Sequence, residues 1–156
     1  ALDIMNKKRI TTKKFLTKSK KLFFRPIPRL EFGYSARNLL SSSMDSSDGL
    51  STCLNELSNQ SKKQFVITKL PMNSDLIDFA TKNKMNISNL VFNGGEEFEL
   101  VCTVSVKNLP KIYKIAKKKK INLFEIGYVT RGKNVIFESN GKRLTIHDKG
   151  WKHFQI

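Results

Sequence analysis

The chain has 156 residues, 29 Lys and Arg against 13 Asp and Glu, and a formal net charge of +16. That length allows one buried core and is short for two ordinary domains, and the supply of Phe, Ile, Leu and Val argues against intrinsic disorder. No apolar run nears the ~20 residues that a membrane-spanning helix needs; two cysteines provide neither a disulfide framework nor a four-ligand zinc site, which points to a reducing, cytoplasmic setting.

Residues 7–24 are lysine-rich, with Ile10, Phe15, Leu16, Leu22 and Phe23 as apolar members, and suit a basic amphipathic helix. Arg25-Pro26-Ile27-Pro28-Arg29 ends it, because proline disfavours helix at the residue before it and lacks an amide donor. Leu50, Cys53, Leu54 and Leu57 fall at i, i+3, i+4 and i+7, the face of a helix that starts right after Asp45-Ser46-Ser47-Asp48-Gly49. Residues 64–70 read as a strand ended by Pro71, and residues 74–85 as a helix presenting Leu76, Phe79 and Ala80. Gly94 and Gly95 mark a turn, after which Phe98, Leu100, Cys102 and Val104 alternate with other residues at the strand period. Asn108-Leu109-Pro110 opens a helix that closes in Lys117 to Lys120, where cations suit the C-terminal end. Residues 123–130, 134–138 and 143–147 read as strands, the last two joined through Asn140-Gly141, a strong hairpin signal. This order predicts an α/β (α+β) sandwich in which a mixed sheet of about four to five strands packs with helices.

The basic excess attracts any polyanion, so a nucleic-acid-binding module is one reading of the charge. No nucleic-acid recognition motif accompanies it, and lysines spread over several segments equally make a solvated face. The acids are more informative. Five of the thirteen stand in two short motifs, Asp45 and Asp48 before the helix and Glu96, Glu97 and Glu99 after the Gly-Gly turn. Two aspartates three residues apart at a loop-to-helix junction offer hard oxygen ligands for Mg²⁺, while a serine hydroxyl and first-turn amides can hold phosphate oxygens. Plain N-capping by Ser47 or Asp48 is the alternative. Cys53 and Cys102 fall on apolar faces and read as core residues.

Asp45-Ser-Ser-Asp-Gly-Leu50 resembles the D-x-S-D-G-L motif of thiamine-monophosphate kinases, in the aminoimidazole ribonucleotide synthetase superfamily. Gly94-Gly-Glu-Glu-Phe-Glu-Leu100 resembles the family's G-G-[ED]-[DE]-[YF]-E-L motif, Ile126-Gly-Tyr-Val129 its I-G-x-[VI] strand, and Gly150-Trp-Lys-His-Phe154 its closing G-[YFW]-x-H-F. Arg25-Pro-Ile-Pro-Arg29 stands where the family carries a Pro-Arg segment. The resemblance runs from residue 25 to residue 154. It implies the fold of the superfamily's C-terminal domain, with residues 1–24 as a basic helical lead-in, residues 25–156 as that domain, and the N-terminal Mg-ATP-binding and dimerisation domain absent from this chain.

The activity implied is transfer of the ATP γ-phosphoryl to thiamine monophosphate, giving thiamine diphosphate. Under the resemblance Asp45 and Asp48 are Mg²⁺ ligands, Ser47 contacts the ATP phosphates, and Glu96 and Trp151 contact the thiamine substrate. The partners implied are ATP, thiamine monophosphate, the N-terminal domain of the same enzyme and a homodimer formed through it. No membrane partner is expected, and nucleic acid is disfavoured. The isolated domain is expected to be inactive. The alternatives are a superfamily enzyme acting on another acceptor through the same Asp45, Ser47 and Asp48, and the polyanion-binding module.

Overall fold

The computed structural model describes residues 9–95 and 98–148. Two helices lead, α1 (Lys13–Phe24) and α2 (Leu30–Ala36), followed by β1 (Leu40–Asp45), α3 (Leu50–Ser61), β2 (Lys63–Ile67), α4 (Ser74–Lys82) and α5 (Ile87–Asn93). Then come β3 (Leu100–Val104), a 3₁₀ turn at Val106–Asn108, α6 (Leu109–Lys118), β4 (Gly127–Arg131), β5 (Val135–Ser139) and β6 (Lys142–Ile146). The α/β architecture with a mixed sheet is therefore present, but the strands divide into two sheets. Four form a sheet in the order β4-β2-β5-β6, and β1 pairs with β3 as a separate antiparallel ribbon.

Local chemistry accounts for most element ends. The Thr12, Asn73 and Asn86 side chains accept amide hydrogen bonds at the starts of α1, α4 and α5, satisfying donors that a helix leaves unpaired. Pro110 stands in the first turn of α6, where a missing amide costs nothing. Asn140 and Gly141, both at positive φ, turn β5 into β6, as a two-residue hairpin requires.

The larger core lies between one face of the four-stranded sheet and two helices. Leu50, Cys53, Leu54 and Leu57 of α3 and Val91 and Phe92 of α5 pack on Phe65, Ile67, Val135 and Phe137, with the Phe92 and Phe137 rings edge to face at 5.4 Å. A smaller core joins Phe32 and Ala36 of α2 to Ile112 and Ala116 of α6. The β1–β3 ribbon belongs to both: Met44 and its partner Val101 pack against the larger core, while Leu40 and its partner Val104 pack against the smaller. Leu40 and Met44 have the same parity and would share a face in a regular strand. A register shift between Leu40 and Ser42 breaks that parity, so each face of the ribbon is apolar where it meets its own core.

The central strand β2 is antiparallel to β4 and parallel to β5. Gly127 opens β4 so close to it that a Cβ there would lie 1.9 Å from the Val66 carbonyl oxygen. The Gly in the Ile126-Gly-Tyr-Val129 stretch is therefore a requirement of strand packing.

Candidate active site

The ribbon's open end and the start of α3 bring the two acidic motifs together. Asp45 ends β1 opposite Leu100, and the next residue, Ser46, donates its amide hydrogen to the Glu99 carbonyl at 2.9 Å. The chain then turns through Ser47 and Asp48 to Gly49, whose φ of +104° no side chain tolerates well. Across this turn lies Gly94-Gly95. A Cβ on Gly95 would stand 3.0 Å from the Ser47 carbonyl oxygen, and one on Gly49 would stand 3.0 Å from that of Gly94. Two backbones approach at glycines on both sides, so the motifs form one surface although about 45 residues separate them in sequence. Ser51 Oγ, donating to Asn93 Oδ1 at 3.1 Å, ties α3 to the end of α5 beside them.

Ser46 is buried and Ser47 half-buried, whereas Asp45 and Asp48 are exposed. The capping alternative fails in the structure. Gly49 occupies the N-cap of α3, and no side chain caps the helix. Among the described residues, neither the Asp45 nor the Asp48 carboxylate has a hydrogen-bond or ion-pair partner, in a chain with 29 Lys and Arg. Two exposed carboxylates beside a loop of small residues fit a hard divalent cation that completes its oxygen shell elsewhere, for instance with phosphate and water. No group of three or more acidic, His or Cys residues that could enclose a metal occurs among the described residues. Glu96 and Trp151, expected on the thiamine side, lie outside the described residues, as does the closing motif 150–154.

Several residues to which the sequence alone gave no site role build the surroundings. Arg29 donates to Glu99 through Nε, 2.7 Å from Oε2, and through Nη2 to Oε1. Such a two-pronged guanidinium–carboxylate pair fixes orientation as well as charge, and it holds the Arg29 guanidinium more firmly protonated than usual. Phe98, next to Glu99, has φ +49°, a left-handed conformation that costs an aromatic residue roughly 1–2 kcal/mol. A groove of about 740 Å³ runs from Asp45 past Arg29 and Phe98 to Pro26, Pro28 and Tyr34. On the other side, Thr52 Oγ donates to Asp148 Oδ1 at 2.7 Å, bringing residue 148 to the first turn of α3.

Cys53 lies behind the site with its thiol 4.0 Å from the Met44 carbonyl. Burial, with the Asp45 charge second, pushes this thiol up to about 12, and burial also raises the half-buried Cys102. Both stay protonated near neutrality, as core residues do.

The thiamine-monophosphate kinase of Nitrosopumilus maritimus is 47% identical over 154 residues, 99% of this chain and 49% of that protein. That of Buchnera aphidicola subsp. Acyrthosiphon pisum is 36% identical over 135 residues, 83% of this chain and 40% of that protein. By sequence and by fold, this chain belongs with the thiamine-monophosphate kinases. The structure of AaThiL complexed with AMPPCP and TMP superposes with a TM-score of 0.76 at 26% identity, over 98% of this chain and 46% of that one. No family model matches. The chain spans two-fifths to one-half of the length of these thiamine-monophosphate kinase relatives, and the match takes in both motifs of the site described above.

Proposed function

We propose that this chain is the C-terminal domain of a cytoplasmic, Mg²⁺-dependent thiamine-monophosphate kinase that transfers the γ-phosphoryl of ATP to thiamine monophosphate and works as a dimer through the domain not present here. The observation that carries the proposal is the meeting of the two motif loops, Gly95 against Ser47, with two carboxylates at the junction that have no partner among the described residues, in a chain whose relatives bear that name. The complex of AaThiL with AMPPCP and TMP supports an ATP-like nucleotide and TMP as the ligands of such a fold.

Phosphate attacking phosphate needs positioning and charge neutralisation more than a covalent nucleophile, because both reactants are anionic. Bound Mg²⁺ supplies that neutralisation. The role of this chain is to present it: Asp45 and Asp48 hold the cation, and Ser47 offers a hydroxyl to phosphate oxygens. The Gly94-Gly95 turn lets the two loops close up without a side chain between them. Glu96 and Trp151 are assigned to the thiamine moiety, the carboxylate to an amino-bearing heterocycle and the indole face to a cationic ring.

The test measures thiamine diphosphate formation from thiamine monophosphate and Mg-ATP with this chain alone and with this chain fused behind the N-terminal half of the Nitrosopumilus relative. The expected result is turnover in the fusion only, reduced at least ~100-fold by Asp48→Ala, as loss of a charge-positioning group does. A fusion that turns over equally well with Asp48→Ala would refute the metal role. A folded fusion that binds ATP but never phosphorylates thiamine monophosphate would keep the fold and refute the acceptor.

A further inference from the structure

Arg29 and Asp45 line the same groove, yet both prongs of the guanidinium go to Glu99 while Asp45 has no hydrogen-bond or ion-pair partner among the described residues. Glu99 is held in place by its backbone. Its carbonyl takes the Ser46 amide at 2.9 Å, and the residue after it pairs with Asp45. Its carboxylate is thus a fixed acceptor next to the site. Arg29 arrives on a segment with prolines at 26 and 28, which restrict how that segment can turn. A guanidinium cannot lose its charge and carries five donors. Released from Glu99, it would find the unpaired Asp45 carboxylate along the same groove, and an Arg–Asp pair there would neutralise a ligand that a divalent cation needs.

We propose that Glu99 is a positioning residue that keeps Arg29 away from Asp45 and so leaves the Asp45 and Asp48 carboxylates available to a divalent cation. It rests on the reading of those two aspartates as metal ligands. A guard of this kind differs from a mere brace in one respect: removing Arg29 as well should cure the damage done by losing the Glu99 charge. A brace would leave the double variant no better than the single one.

The experiment uses this chain with Glu99→Gln, Arg29→Gln and the two combined. Free Mn²⁺ is followed by electron paramagnetic resonance during titration, and proton NMR looks for a cross-peak between Arg29 Hε and the Asp45 Hβ protons. Glu99→Gln should bring that cross-peak up and weaken Mn²⁺ binding about tenfold, the scale seen for lost outer-shell partners. The combined variant should restore the parent affinity, and Arg29→Gln alone should bind Mn²⁺ at least as well as the parent. The proposal is overturned if Glu99→Gln shows no Arg29–Asp45 cross-peak, or if Arg29→Gln and the combined variant bind Mn²⁺ as weakly as Glu99→Gln. If the cross-peak behaves as expected while the parent takes up no Mn²⁺, the separation of Arg29 from Asp45 stands and the metal role of the aspartates falls.

Discussion

Single atoms decide several properties of this chain, and Gly127 is the clearest case. With a Cβ position 1.9 Å from the Val66 carbonyl oxygen, Gly127→Ala must push β4 away from the central strand. The expected loss is about 3 kcal/mol or more, read as a lower urea midpoint. Cys53 gives a prediction in pH. Its folded thiol is pushed up from 9.0 to about 12, so above pH 9 the unfolded chain releases a proton that the folded chain keeps. The contribution to stability is full below pH 9 and is lost as pH rises toward 12. Parent stability should therefore fall relative to Cys53→Ala between pH 8 and pH 10.5 in urea titrations; a constant difference would mean that the thiol titrates normally. At this scale the aspartates were legible, because spacing within one short motif places both at one junction. Arg29 and Glu99 were not legible as a pair, since 70 residues separate them and only the folded ribbon makes them neighbours. Gly127 was legible as part of a motif, but its reason, the Val66 backbone passing underneath, lies far earlier in the chain.

Among the elements, the amphipathic helices declared themselves and the polar strand did not. The i, i+3, i+4, i+7 spacing in residues 50–57 is the buried face of α3, because a helix packed on a sheet needs one continuous apolar stripe. β1 reads Leu-Ser-Ser-Ser-Met-Asp, with a register shift that spoils the period-2 signal. The ribbon is held by its partner strand and by contacts such as Ser42 Oγ to Thr103 Oγ1 at 2.7 Å, which no local pattern reports. α2 and α5, seven residues each, are too short to show a period. The lead-in helix spans Lys13–Phe24 within the lysine-rich stretch, with Thr12 as its cap. None of its residues is buried. What holds it is the Phe15–Phe79 ring contact at 5.3 Å and the Asn83 side chain, which takes the Ile10 amide at 2.8 Å and donates to the Ile10 carbonyl at 2.7 Å. The Lys18–Asp75 pair at 3.8 Å is solvent-exposed and adds little. Asn83→Ala should therefore speed amide exchange throughout residues 13–24 by about tenfold, the effect of losing about 1.4 kcal/mol of hydrogen bonding, while the exchange of α3 stays as it was. Equal acceleration in both helices would mean that α1 unfolds only with the whole chain.

For the molecule as a whole, the charge is the dominant fact. A net +16 on 156 residues repels itself at low ionic strength, and the ion pairs given above are mostly at the surface. Raising NaCl from 10 to 300 mM should raise the melting temperature by a few degrees as the Debye length shrinks from about 30 Å to below 10 Å. Under the polyanion-binding alternative, RNA affinity would be tight, would fall steeply over the same salt range and would survive Asp48→Ala. The overall architecture was legible as a mixed α/β sandwich, since helix and strand periods mark the long elements. The division into two sheets was not, because which strand pairs with which is set by packing around two separate cores.

The strand order also fixes when, during synthesis, this chain can become a protein. β2 ends at residue 67, but both of its partners lie beyond residue 126, and β1 waits for residues 100–104 in the same way. The one sheet contact between consecutive strands is the β5–β6 hairpin near the end of the described chain. A ribosome-bound intermediate thus carries β2 without either of its strand partners for roughly 60 residues of elongation, several seconds at ordinary rates. The first half is then expected to need holding chaperones, and truncation before residue 127, which leaves β2 without a strand partner, to yield an aggregating chain.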